Sequence, residues 1–437
     1  MRIGRFIGAL GLGTSATPLL AQMTVDPAVA DLANSGDTAF VLGATFLIVL
    51  MALPGLFLWQ GGMARPKNLL SVGVALLGIL ALTSLLWVVV GYTLAFGPSG
   101  GGFLGGGLNW MLLNLGNIRD GTTIPESAFA MFQMVSAVLA AALVAGAVIE
   151  RARFGWLLAF AALWSLMVYA PVAHWLWGNG WLATRIGALD FAGGIVIQLS
   201  AGVSGLVAAL MVGKRIGFAD GEGAEKPRAL TLAGAALLWL GWLALAGGNA
   251  LTATDDAAAA IINTHLGASV GVLVWLLLDR LLRGASTATG AAQGAIAGFV
   301  AISAGAGFIG PGAAIVIAAS GALIGYFAVN LVRNGFGVDD SCQLFAIHGV
   351  GGAVGALLLA LFIAPGFGGI GYGDGMGFGS QFVAQLVAVG AVTIWSAVIT
   401  AIIGFGLSFI LPMRVSEKSE REGLDLANHG ESAWDWD

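Results

Sequence analysis

Charge is what this chain has least of. Only 9% of its 437 residues are Asp, Glu, Lys or Arg, against about a quarter in a soluble domain, so an ordinary water-soluble globule is excluded. Cysteine is nearly missing as well. Cys342 stands alone in the sequence, which rules out an intrachain disulfide and leaves it as a small apolar filler. No P-loop, HExxH, paired CxxC or GxSxG occurs, and no basic tract suits a nucleic acid. No nucleophile–base pair stands in the apolar runs, so an enzyme is not indicated. What the chain does have is apolar bulk: 58% hydrophobic residues and a mean hydropathy of +0.92. That composition reads as a polytopic membrane protein. The formal charge of −5 says little, because charge here marks loops.

A helix needs about 20 apolar residues to span a bilayer. About eleven runs qualify, near 38–62, 69–96, 125–149, 154–177, 189–213, 229–248, 257–280, 288–308, 312–333, 342–364 and 380–411. The expected fold class is therefore an all-α polytopic membrane protein of about eleven transmembrane helices. Ahead of them, Arg2 and Arg5 precede a short apolar run that ends at Ala21, the pattern of a cleaved signal peptide over residues 1–21. Residues 22–411 form the membrane domain, and 412–437 a polar tail read as mobile. With the N-terminus outside, the positive charges sort by loop. Of 18 lysines and arginines, Arg2 and Arg5 lie in the leader, Arg119 and Arg185 in external loops, and the other 14 in internal segments. That asymmetry is the positive-inside pattern of an inner-membrane protein, and it puts the C-terminus inside.

One stretch occurs twice. Asp190 is followed eight residues later by Gln198, then by Gly202 and Gly205; Asp340 is followed at the same spacing by His348, Gly352 and Gly355. The copies fall on runs five and ten. The chain thus divides as a five-plus-five inverted repeat plus one extra helix, and such folds hold their sites at the repeat interface near the midplane. Polar groups inside spans are costly and usually functional, while glycines at helical spacing admit a close backbone. Gln198 and His348 are expected to meet at one buried place.

Other residues carry two readings each. Asp190 and Asp340 suit helix N-caps, and Asp190 would also attract a cation. Trp175, Trp177, Trp181, Phe129 and Phe132 fit either an interfacial aromatic belt or a cation–π vestibule. Glu150 and Arg151 read as an ion pair at the internal face. His174, His265 and His429 lie near span ends or in the tail without ligand spacing, so no metal or cofactor is expected.

The ordered set Ala147-Val-Ile-Glu150-Arg151, Asp190-Phe-Ala-Gly-Gly, Lys214-Arg215-Ile-Gly-Phe218, Gly241-Trp242, Asn263-Thr264, Val338-Asp339-Asp340, His348-Gly-Val-Gly and Glu420-Arg-Glu-Gly-Leu-Asp resembles the Amt/Mep/Rh ammonium transporter family over nearly the whole mature chain. The resemblance implies a homotrimer of eleven-helix subunits in the lipid bilayer, each with its own pore for ammonium or ammonia. Trp177 and Phe132 would line the external recruitment vestibule, with Asp190 as the acidic residue beneath it. His348 would be one of two hydrogen-bonded pore histidines, and Trp242 would pack beside them. The tail would help contact a PII-type regulator.

Several pore positions depart from that pattern. Gln198 stands where the first pore histidine is usual, Ser136 and Leu245 where a stacked phenylalanine pair is usual, and Asn249 where a vestibule serine is usual. Imidazole titrates near neutrality, whereas an amide donates and accepts without titrating. A proton relay through both side chains would therefore break at Gln198. Three readings follow: an ammonium or ammonia transporter with altered relay or selectivity, a sensor that binds ammonium but conducts poorly, and a permease for another small amine or neutral solute.

Overall fold

The computed structural model describes residues 33–107, 109–218 and 226–434. The proposed signal peptide and Trp436 lie outside them. Ten helices in the described residues are long and apolar enough to cross a membrane: α1 Ser35–Met63, α2 Pro66–Phe96, α3 Glu126–Ala145, α4 Phe154–Ile186, α5 Gly194–Val212, α6 Arg228–Gly248, α7 Asp255–Arg283, α9 Pro311–Gly335, α10 Phe345–Phe362 and α11 Phe378–Ser408. An eleventh apolar helix, α8 Ala288–Ser303, is shorter and almost wholly buried. Strand structure among the described residues is limited to the hairpin β1 Ser99–Gly100 and β2 Leu104–Gly105, in the glycine-rich loop between α2 and α3. The protein is an all-α multi-pass membrane protein.

Helix α8 can be short and central because small residues let its neighbour come close. A Cβ placed on Gly271 of α7 would stand 2.0 Å from Gly294 O, and one on Gly298 would stand 2.0 Å from Gly267 O. Four glycines thus bring two backbones into contact, the usual device where lipid supplies no hydrophobic drive between helices.

The two repeat copies cross in the same way. A Cβ on Gly202 of α5 would stand 2.2 Å from Gly349 N, and one on Gly352 of α10 would stand 2.4 Å from Gly194 O. The helices run in opposite directions. The end of α5 and the start of α10 meet at Arg151, whose Nε donates to Gly213 O at 2.6 Å and whose Nη1 donates to Ser341 Oγ at 2.9 Å.

Helix ends gather on two faces. On one, Asp37, Thr123 and Ala253 are hydrogen-bonded together, and Gln385 of α11 bonds both the amide and the carbonyl of Leu189. On the other, Arg65, Glu150, Arg215, Asp339, Arg414 and Glu420 form one connected ion network. The network joins the tail and four of the loops assigned to one side by positive charge; Arg283 after α7 lies outside it and pairs with Asp279.

Two expectations fail on that charged face. Glu150 and Arg151 are not each other's partners. Glu150 pairs with Arg65 and Arg215, while Arg151 binds backbone carbonyls and Ser341. Residues adjacent in a turn point apart, so sequence adjacency does not make an ion pair. The tail is not free either. Its helix α12, Glu417–Glu422, docks through buried Glu420, which accepts from Ile216 N at 2.7 Å and from Arg414 Nη2 at 2.7 Å. Asp425 accepts from Leu70 N at 3.0 Å and Ser71 N at 2.7 Å, capping amides in the first turns of α2 that helix geometry leaves unpaired. A polar segment reads as mobile from composition, but here its carboxylates meet cations and amides of other loops. Trp434 is exposed.

Candidate functional site

Both Asp residues of the repeat act as caps. Asp190 Oδ2 accepts from Ile195 N and Val196 N, each at 2.8 Å, and Asp340 Oδ2 accepts from Phe345 N at 2.9 Å. The offset of five residues recurs in both copies. Each capped segment then opens as a π-helical turn, Gly194–Leu199 and Phe345–Gly349. Gln198 and His348 sit in these turns. Six other wide turns of this kind occur among the described residues, so the turn alone does not mark a site.

The expectation that the two meet is fulfilled. His348 Nδ1 lies 2.7 Å from Gln198 Oε1, and both side chains are buried. An amide oxygen only accepts, so Nδ1 carries the hydrogen and Nε2 keeps its lone pair. His348 Nε2 and Gln198 Nε2 are buried with no hydrogen-bond partner among the described residues. The pair thus offers one acceptor and one donor set at a place where an unpaired polar atom is costly.

Indole rings wall the pair. Trp242 lies 6.4 Å from His348 between centroids at 30°, stacks on Phe299 at 5.1 Å, and donates through Nε1 to Ser303 Oγ at 3.1 Å. Trp59 meets His348 edge-on at 6.1 Å. Trp242 was expected there. Trp59 was not, since a tryptophan in an apolar run looks like any packed aromatic.

The remaining candidates form two groups toward the face opposite the ion network. Trp177 Nε1 donates to Asp190 O at 2.7 Å, tying that indole to the residue that caps α5. Phe132 is buried against α6, where a Cβ on Gly248 would stand 2.5 Å from its ring. Ser136 Oγ bonds Phe132 O at 3.2 Å, one turn back. Leu245 is fully buried, and its carbonyl accepts from Asn249 Nδ2 at 2.7 Å, so the amide oxygen of Asn249 is the end left for another donor.

Three aromatics leave the vestibule reading. Phe129 already has a cation of the chain's own, with Arg119 Cζ 4.4 Å from its centroid. Trp175 is buried, bonded to Phe103 O at 2.9 Å and packed on Trp181 and Trp395. Trp181 packs on Trp175 and Phe103. His174 is likewise structural, with Nδ1 at 2.9 Å from Ala95 O and Nε2 at 2.8 Å from Ser99 Oγ.

A bundle of membrane-spanning helices with a polar pair at the crossing of two antiparallel, repeat-related helices has the architecture of the solute-transporting class. The comparisons place it further. The profile of the Ammonium Transporter Family matches residues 39–434. The chain is 42% identical over 411 residues to an ammonium transporter of Bacillus subtilis, covering 91% of this chain and 98% of that one. It is 38% identical over 403 residues to ammonium transporter Amt1 of Archaeoglobus fulgidus, covering 92% and 100%. Among solved structures it superposes on a chain described as Sensor Amt Protein with a TM-score of 0.84 at 28% identity, covering 90% and 98%. It superposes on Candida albicans Mep2 with a TM-score of 0.82 at 32% identity, covering 93% and 91%. The chain belongs to the ammonium transporter family.

Proposed function

We propose that this protein carries ammonium nitrogen across the inner membrane along a path through the Gln198–His348 pair. The observation that carries the reading is the pair itself: two bonded side chains in a buried, indole-walled place, whose imidazole Nε2 and amide NH2 have no partner among the described residues. Ammonia has both a lone pair and N–H groups, so it can use both partners. Ammonium has only N–H groups and can use one. The site therefore suits the neutral species better, and an amide in place of a second titrating ring interrupts a two-site proton relay. Trp177 with Asp190, and Phe132 with Asn249, are the recruitment residues in this reading, while Ser136 and Leu245 line the entry with less aromatic surface than a phenylalanine pair.

Family membership also supports a homotrimer and a PII-type regulator docking at the charged face, where the tail is held. A second reading, an ammonium sensor that conducts poorly, is favoured by the likeness to the solved Sensor Amt Protein and by the amide at Gln198. Proteoliposomes separate the two. Ammonium-evoked uptake or current above that of empty vesicles supports transport. Saturable ammonium binding with flux no greater than empty vesicles would overturn transport in favour of the sensor.

A further inference from the structure

A cavity of about 460 Å³ opens on the charged face, away from the Gln198–His348 pair, and its volume is within the size range of small-ligand sites. Its floor includes Gln343, five residues before His348 on the same segment and bonded to Gln293 at 2.6 Å. It therefore lies beside the segment that carries His348. Six cations line it, Arg65, Arg215, Lys226, Arg228, Arg283 and Arg333, and among the described residues no acidic one does.

The cations fall into two kinds. Arg65 and Arg215 are engaged by Glu150 and Asp339, and Arg283 lies 3.5 Å from Asp279. Lys226, Arg228 and Arg333 have no carboxylate within ion-pair distance among the described residues. Arg333 instead lies 5.6 Å from the centroid of Phe218. Asp220, Glu222 and Glu225 are outside the described residues. A topology signal needs positive charge on a face; it does not need Lys226, Arg228 and Arg333 to converge on one concavity.

We propose that this cavity is a binding site for a compact polyphosphate anion, and that its occupant covers the exit of the path. Guanidinium forks match phosphate oxygens two at a time, and a concave site strengthens the attraction by shielding it from salt. Burial, then the neighbouring Arg215 charge, lowers the pKa of Lys226 to about 8. Arg333, Asp339 and Cys342 also face Lys226. The lysine is charged at pH 7 and loses its proton as pH rises past that value, so affinity should fall between pH 7 and 9.

The test is calorimetric binding of inorganic tripolyphosphate and of ATP to the full-length protein in nanodiscs of zwitterionic lipid. Saturable binding of tripolyphosphate is expected, weakened about tenfold or more in the Lys226→Ala, Arg228→Ala, Arg333→Ala triple variant, whose folding is checked by its melting temperature. Lys226→Arg should bind at pH 7 and lose the fall toward pH 9. ATP binding as tightly as tripolyphosphate extends the site to nucleotides. No saturable binding, or equal binding to the triple variant, would overturn the site. Loss of binding in phosphatidylglycerol nanodiscs would overturn a soluble occupant in favour of a lipid headgroup. Lowered ammonium flux with tripolyphosphate on the charged side is a consequence that rests on the transport reading; the binding measurement does not.

Discussion

At the scale of single residues, the repeat is equal in spacing and unequal in chemistry. Gln198 holds His348 in one tautomer by accepting from Nδ1, and it does so without titrating. Replacing Gln198 with Leu leaves a buried N–H without its acceptor, a cost of about 1–3 kcal/mol, and is expected to lower the melting temperature and the flux together. Gln198→His introduces a second imidazole. It is expected to raise proton-coupled charge movement severalfold without loss of stability; unchanged flux and unchanged selectivity against potassium would show that Gln198 is not limiting. Both residues were legible in the sequence, because a polar side chain in an apolar run has few structural reasons to be there. Trp59 was not legible, since its neighbour His348 is 289 positions away and nothing local marks the contact. Phe129 and Trp175 stayed between two readings for the related reason that aromatic composition does not tell which ring already has a partner.

At the scale of elements, glycine sets the approach of α5 to α10. Gly202→Ala would press a methyl onto the backbone of Gly349, 2.2 Å away, and is expected to cost about 1–3 kcal/mol by overpacking. Gly43→Ala, where no heavy atom lies within 4 Å, is the control and should leave thermal stability in detergent unchanged. The crossing was foreseeable from glycines at offsets four and seven beyond each polar residue. The closer α7–α8 packing through Gly267, Gly271, Gly294 and Gly298 was equally present in the sequence but was not read, because a chain with 69 glycines offers many such pairs and only the repeat singled one out. The shortness of α8 was also missed: apolar residues continue past Ser303, and hydropathy does not see the turn that ends the helix.

At the scale of the whole molecule, the charged face ties the loops and the tail into one body. Glu420 joins Arg414 to the Ile216 amide, so Glu420→Ala is expected to release residues 417–429, seen as faster hydrogen exchange and earlier proteolysis there. Burial alone would raise the pKa of Asp339, but Arg215 and Arg151 hold it below the ordinary 3.8. Its stabilising contribution is therefore complete above pH about 4 and is lost as pH falls through the lowered value, so the Arg215–Asp339 contact should loosen on acidification, seen as faster hydrogen exchange at the Arg215 amide, and be insensitive to pH in the neutral range. The fold class was legible from hydropathy and charge asymmetry, which are whole-chain quantities. The docking of the tail was not, because its partners lie in loops about 200 to 355 residues away and composition alone describes it as solvated. Transport belongs to this scale too, and the proposed path runs through the pair at the crossing. The most direct test is ammonium-evoked flux into proteoliposomes, with potassium as the competing cation, for wild type and His348→Leu reconstituted to equal levels. Wild type is expected to exceed empty vesicles and His348→Leu to fall to their level while remaining folded; equal flux through both would contradict a path through His348.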